Sequence, residues 1–244
     1  VRHVEHVMGT TVSIELADER PDLIAAVCAW LHEVDARFST YKADSEVSRF
    51  GRGELRLEDS SADLRQVLEA CADLWRDTDG YFDAYASGSL DPSGYVKGWS
   101  VEVASQRLAA AGSHDHYINA GGDIRMRGRH PEGGPWRVGI RHPWEADKVS
   151  WVLALNDGAV ATSGTYERGD HVINPRTGQP AKGLRSVTVV GPDLSIADAY
   201  ATAALAMGEA GIAWLAKRAA DGYDSAVVTD DGRAFSSANL PAAV

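Results

Sequence analysis

Cysteine is scarce in this chain. Two cysteines among 244 residues, Cys28 and Cys71, are too few for a disulfide scaffold or for a metal site built from cysteines. Each sits in an apolar helical pattern and reads as a small core residue. Positive charge is also short. Lys and Arg number 24 against 35 Asp and Glu, a formal net charge of −11. That deficit argues against a general nucleic-acid binder, which needs a basic footprint, and against docking on an anionic membrane surface. It also raises the question of how so acidic a protein would hold a phosphorylated ligand. No apolar run approaches the ~18 residues of a transmembrane helix. No basic segment leads into an apolar run, so no signal peptide is expected within the chain. The chain opens on Val1 rather than Met. A cytoplasmic protein and a cell-envelope protein whose leader has been removed are therefore both open. The eight histidines include no H-E-x-x-H or comparable spacing, which argues against a zinc enzyme. No G-x-G-x-x-G opens a βαβ unit, which disfavours a flavin or nicotinamide oxidoreductase.

What is present is an ordinary globular composition, 44% hydrophobic and 24% charged, with enough chain for a sizeable core. Alternation from Val4 to Leu16 predicts a strand with a bulge or close approach at Gly9. From Pro21, the residues Ile24, Val27, Leu31, Val34 and Phe38 recur at helical spacing, and a polar loop follows. Ser60 and Asp63 suggest the capped start of a second helix carrying Leu64, Val67, Leu68, Cys71, Leu74 and Trp75. The Gly-, Ser- and Asp-rich stretch from Asp77 to Gly98 reads as a long loop, and a third helix is expected from about Lys97 to Ala111, stopped by Gly112. Later β-type runs are punctuated by Gly, Pro and Asn. They precede a helix from Ser195 to Met207, a short helix around Leu215, and a strand from Ser225 to Thr229. Helices and strands come in blocks, so the expected fold is α+β, a single domain over residues 1–244 with a mixed or antiparallel sheet packed by helices.

Four clusters carry chemistry. Asp198 and Thr202, four apart on a predicted helix, offer a carboxylate and a hydroxyl from one face, a start for a hard-cation site. The alternative is a capping box in which Asp198 turns back towards Ser195. Asp91 leads through a Gly-containing turn to Lys97, a phosphate cradle if helix amides lie there, otherwise a capped turn with an exposed lysine. Asn119 to Asp123 holds paired glycines that suit either a close-packed flat ligand or a hairpin turn. His171 to Gly178 is a turn-bounded connector whose histidine is a base, a ligand contact or a structural group. Ser163 could offer a hydroxyl, although no G-x-S-x-G elbow surrounds it.

Taken in order along the chain, these clusters resemble the ApbE family, the FAD:protein FMN transferases. The resemblance runs from Met8-Gly9-Thr10 through Phe38-Ser39-x-Tyr41, Ser45-Glu46-x-Ser48 and Gly80-Tyr81-Phe82-Asp83. It continues with Asp91 to Gly98, Asn119 to Ile124 and Pro135 to Ile140. It closes with Thr162-Ser163-Gly164, His171 to Gly178 and Ala197-Asp198 to Thr202-Ala203. It implies a T-fold-like domain that binds FAD and Mg²⁺, releases AMP, and attaches FMN to a Thr or Ser hydroxyl of an acceptor protein. Carried over position by position, Met8, Tyr41, Tyr81, Phe82, Asp83, Asp91, Lys97 and Ile173 contact FAD. The Gly94 carbonyl, Asp198 and Thr202 hold the metal, and His171 is the candidate base. An FAD pyrophosphatase and a non-catalytic flavin-binding module share that site and are the alternatives. The sequence departs from the family pattern at Asn174, where Asp usually precedes Pro, at Gly94, and in the FDAYASG stretch. Only eight positions lead from Asp83 to Asp91, where many relatives carry a long helical insertion.

Overall fold

The computed structural model of the protein describes residues 1–165 and 172–243. The first segment forms two strands, β1 (Arg2–Val7) and β2 (Thr10–Leu16), rather than one. Met8 and Gly9 both take positive φ, 54° and 67°, and close a two-residue turn between the paired Val7 and Thr10. Gly9 is thus a hairpin residue, not a bulge. Helix α1 (Pro21–Phe38) starts with a proline in its first turn and buries Ile24, Val27, Leu31, Val34 and Phe38, as their spacing requires. The polar loop after it contains a short helix, α2 (Glu46–Gly51). Helix α3 (Ala62–Asp77) is capped by Ser61, whose hydroxyl accepts from Leu64 N at 3.1 Å. Ser60, the expected cap, instead donates to the Leu57 carbonyl.

Helix α4 (Ser93–Ala110) begins one turn earlier than its apolar pattern suggests. Pro92 and Gly94 read as loop residues, but proline is tolerated at a helix entrance, and the glycine is packed from outside. Strands β3 (His116–Ala120), β4 (Asp123–Arg127), β5 (Trp136–Arg141), β6 (Val149–Leu155) and β7 (Gly158–Gly164) follow. After the short pair β8 (Ile173–Asn174) and β9 (Gln179–Pro180) come β10 (Leu184–Gly191), α5 (Leu194–Met207) and α6 (Ala210–Arg218). The hairpin β11 (Asp224–Thr229) and β12 (Ala234–Ser236) follows, after which Ala242 bridges to Leu153 of β6.

The main sheet has eight strands in the order β1-β2-β3-β4-β7-β10-β11-β12, and every described pairing in it is antiparallel. Helices α1, α4 and α5 share one core with the sheet residues Val12, Ile14, Ile118, Val187 and Val189. A second core joins Ile124, Met126, Val160 and Val190 to Trp136, Val138, Ile140 and Leu153 of the β5–β6 hairpin. Strands β4 and β10 are therefore buried on both sides; β10 reads as a largely apolar run, whereas β4 (Asp-Ile-Arg-Met-Arg) buries Asp123 and Arg125. Among the described residues no helix is long and apolar enough to cross a membrane.

One buried polar chain ties α4 to the sheet. Arg127 Nε donates to Ser105 Oγ, Ser105 Oγ donates to His116 Nε2 at 2.8 Å, and His116 Nδ1 donates to the Ser113 carbonyl. The carbonyl can only accept, so Nδ1 carries a proton, and with Nε2 accepting from Ser105 the imidazole is neutral. Burial, reinforced by Arg127 and Arg125 and opposed by the Ser113 carbonyl, pushes His116 down to about 4 from 6.5. The unfolded chain takes up this proton near 6.5, the folded one only near 4, so stability present at neutral pH is lost as pH falls through that window. The full loss is on the order of 3 kcal/mol. Denaturant titrations at pH 7 and pH 4.5 should show a smaller pH-dependent loss in His116→Asn than in the parent. Equal losses would contradict the assignment.

Candidate active site

The site is built where α4, α5, β4 and β7 meet. Helices α4 and α5 cross closely because small residues line both. A Cβ on Gly98 would lie 2.6 Å from the Leu194 carbonyl oxygen and 2.9 Å from Asp198 Cβ, so only glycine fits. At this crossing Asp198 Oδ2 accepts from Gly98 N at 3.1 Å. The cap of α5 is Asp193, whose carboxylate accepts from Ile196 N and from the Ser195 hydroxyl. The capping-box alternative for Asp198 is thereby excluded: its side chain points across to α4.

Asp123, at the start of β4 and fully buried, stands beside Asp198. Its Oδ2 lies 2.5 Å from Lys97 Nζ, and its Oδ1 accepts from Thr162 N at 3.2 Å. Asp198 is 3% exposed, and burial first, the Asp123 charge second, push its carboxyl well above the usual range, with Lys97 and the Gly98 amide pulling the other way. Thr202, one turn on from Asp198, has its Oγ1 3.2 Å from Ser163 Oγ on β7. Two buried carboxylates, two hydroxyls and one lysine thus converge. Their oxygen donors are those a hard divalent cation takes, and both acids ionised against one lysine leave negative charge for such a cation to balance.

The rest of the site is supplied by loops that the helices pin. Thr78, buried at the end of α3, donates to the Leu74 carbonyl and accepts from Phe82 N at 2.8 Å, which fixes the Tyr81-Phe82-Asp83 turn. The Phe82 ring packs over Gly94, with only 3.4 Å to the position a Cβ would take there. Asp83 accepts from Tyr85 N, and Asp91 accepts from Ser93 N while its own amide donates to the Ala84 carbonyl. The short 84–91 connection is therefore a closed loop delivering α4. Arg176, next to the β8–β9 pair, lies 4.7 Å over the Tyr81 ring and donates to Asp79. Asn174 Oδ1 accepts from Arg176 N, a turn role that an amide fills as well as a carboxylate.

Part of this arrangement lines one cleft of about 330 Å³, with Asp123 buried behind Lys97. Met8, Tyr81, Phe82, Asp83, Asp91, Gly94, Lys97, Ile173, Asp198 and Thr202 all line it. Met8 reaches it from the strained hairpin turn, where Ser100 Oγ donates to its sulfur at 3.8 Å. Tyr41 also borders the cleft but is 99% exposed and stands at its rim. His171 lies outside the described residues. In the sequence Asp123 reads only as the end of a glycine turn. The glycines before it do form a hairpin, with Asn119 Oδ1 accepting from Gly122 N, and the carboxylate that follows pairs with Lys97. The signal available was an acid closing that turn, in the register that points inward.

A helix-covered antiparallel sheet with a cleft combining apolar and aromatic walls, buried oxygen donors and a lysine defines an α+β protein built to hold a ligand that is part flat and part charged. The chain belongs to the ApbE family, whose model matches residues 8–89 and 84–225. The match breaks within the short connection between Asp83 and Asp91. An FAD:protein FMN transferase of Vibrio cholerae serotype O1 is 28% identical, over 83% of this chain and 80% of that protein. One from Rhodobacter capsulatus is 37% identical over 63% of this chain, which spans 30% of that relative's length. Among solved structures, the flavin transferase ApbE of Vibrio cholerae superposes with a TM-score of 0.84 at 26% identity, covering 98% of this chain and 97% of that one. An ApbE protein of Thermotoga maritima shares the fold, with a TM-score of 0.88 at 22% identity and 98% and 97% coverage.

Proposed function

We propose that residues 1–244 work as one Mg²⁺-dependent FAD:protein FMN transferase domain, moving FMN from FAD to a Thr or Ser hydroxyl of an acceptor protein. The observation that carries this reading is the junction, in one cleft, of Lys97, Asp198 and Thr202 with the Met8, Tyr81, Phe82 and Ile173 walls, Asp123 lying buried behind Lys97. Family membership and the names of the relatives support it.

In this reading the apolar walls take the isoalloxazine ring, with Tyr41 at the rim and Asp83 and Asp91 fixing the loop beside it. Lys97, held by Asp123, offsets charge on the pyrophosphate. Asp198, Thr202 and the Gly94 carbonyl would hold Mg²⁺. Gly98 N, the i→i−4 partner of that carbonyl in a regular helix, is engaged by Asp198, which favours a free lone pair on Gly94 O. When bound, the ion supplies positive charge that polarises phosphoryl oxygen. The acceptor hydroxyl attacks the flavin-side phosphorus. A new P–O ester bond forms, the pyrophosphate P–O bond breaks, and AMP leaves. The hydroxyl proton passes to a base, for which His171 is the candidate. Most of the rate then comes from positioning and charge stabilisation.

Incubation with FAD, Mg²⁺ and an acceptor bearing a family-type Thr motif should give a protein fluorescent after denaturation and heavier by one FMN, with AMP formed in equal amount. AMP formed as fast without acceptor would make the protein an FAD pyrophosphatase. FAD bound without AMP formation would make it a flavin-binding module.

A further inference from the structure

On the outer edge of the sheet, β1 and α1 bring four metal-ligating side chains together. His3 and Glu5, two apart on β1, share the strand face turned inward, and Cys28 and His32, four apart on α1, share a helix face. One donor atom each of His3, Glu5 and Cys28 lie within 4.8 Å of one another. Glu5 joins the two imidazoles: its Oε2 is 3.0 Å from His3 Nε2 and its Oε1 3.0 Å from His32 Nε2. None of the four lines the cleft, and flavin transfer uses none of them. Cys28 is accordingly not a core residue: it is only part-buried and turned to this cluster.

We propose that His3, Glu5, Cys28 and His32 form a zinc site that clips β1 to α1. The donor set decides the metal. One thiolate, two imidazoles and one carboxylate suit borderline-soft, tetrahedral Zn²⁺, whereas Mg²⁺ and Ca²⁺ take oxygen. His3, Glu5 and Cys28 already stand within reach of one ion, and His32, on the other oxygen of Glu5, would swing in as the fourth ligand and leave no open position, so the site is structural. On binding, the Cys28 thiol gives its proton to solvent and the sulfur takes the metal. The consequence lies at the sheet edge, where β1 pairs only with β2 among the described strands. A clip to the helix layer would hold down an edge strand that a single neighbour secures. Sequence spacing hides such a site, because its ligands come as i,i+2 on a strand and i,i+4 on a helix with a long interval between the pairs.

The test uses the full chain, stripped with chelator and kept in excess Mg²⁺ so that the oxygen-lined cleft is filled. Titration with Co²⁺ should give, at one equivalent, thiolate-to-cobalt charge-transfer absorption and the intense visible bands of a tetrahedral centre, both abolished by Zn²⁺. Cys28→Ser should remove the charge-transfer band. His3→Ala and His32→Ala should each weaken Zn²⁺ binding by on the order of tenfold or more. A measurement on the unmodified chain needs no variant: Zn²⁺ should protect Cys28 from alkylation, read by peptide mapping. Cobalt spectra without the thiolate band, or alkylation of Cys28 at the same rate with and without Zn²⁺, would overturn the site.

Discussion

Asp198→Asn is expected to lower flavin transfer by at least ~10²-fold while leaving the protein folded. Asparagine keeps an oxygen to accept from Gly98 N, so the α4–α5 crossing retains its hydrogen bond. What disappears is one of two buried negative charges. With Asp123 alone against Lys97, the cluster is balanced and has little to offer a divalent ion. Mg²⁺ should therefore no longer accelerate the residual reaction. Stability should move the other way. Burial and the Asp123 charge raise the Asp198 carboxyl, so its ionised form opposes folding above the ordinary carboxylate range. Without Mg²⁺, Asp198→Asn should then melt at or above the parent at neutral pH, an exchange of stability for function. Asp198→Ala should lose transfer as fully and also lose the Gly98 bond. Rates against Mg²⁺ concentration, read beside melting curves, check both halves. Transfer at the parent's rate and with the parent's Mg²⁺ dependence in Asp198→Asn would remove Asp198 from the metal site.

Asp198 shows how far residue patterns reach. Its i,i+4 relation to Thr202 is a property of one helix, and helices announce themselves: α1 and α5 follow from apolar spacing and their stops. Contacts between distant segments carry no such signature. The Gly98–Asp198 bond joins residues a hundred positions apart. Gly98 looks like a helix breaker until Leu194 is seen against it. Asp123 was masked by the turn it follows, and Lys97 looked like a residue at a helix start when it lies a full turn inside α4. Met8 reads as part of a strand because hydropathy does not register a positive φ. Glu102 went unnoticed entirely. A charged residue in the middle of an otherwise apolar helix reads as a solvent-facing position, and only the sheet packed against it reveals otherwise.

Glu102→Ala should be the most destabilising of the substitutions considered. Glu102 is 4% exposed on α4, and its two oxygens serve three partners. Oε2 accepts from Leu194 N at 3.0 Å, the first residue of α5, and lies 2.9 Å from Arg125 Nε on β4. Oε1 lies 3.4 Å from Arg127. Removing the carboxylate leaves the nearly buried Arg125 with Asp157, itself largely exposed, as its remaining acidic partner among the described residues. It also strips a buried amide of its acceptor. Breaking a buried ion pair from one side costs about 3–5 kcal/mol. At roughly 2–4 °C per kcal/mol for a chain of this size, the melting temperature should fall by on the order of 10 °C. Glu102→Gln keeps an acceptor for Leu194 N and loses only the charge, so it should fall between the parent and the alanine variant. Activity follows from geometry. Leu194 begins the helix that presents Asp198 and Thr202 one and two turns later, so a shift of its first turn moves the proposed metal ligands against Lys97 and Asp123. In protein kept well below its lowered melting point, Glu102→Ala should need more Mg²⁺ for half-maximal transfer, while Glu102→Gln stays near the parent. An unchanged Mg²⁺ requirement in folded Glu102→Ala would confine the residue to stability alone, and a melting temperature within 2 °C of the parent would contradict the buried ion-pair account.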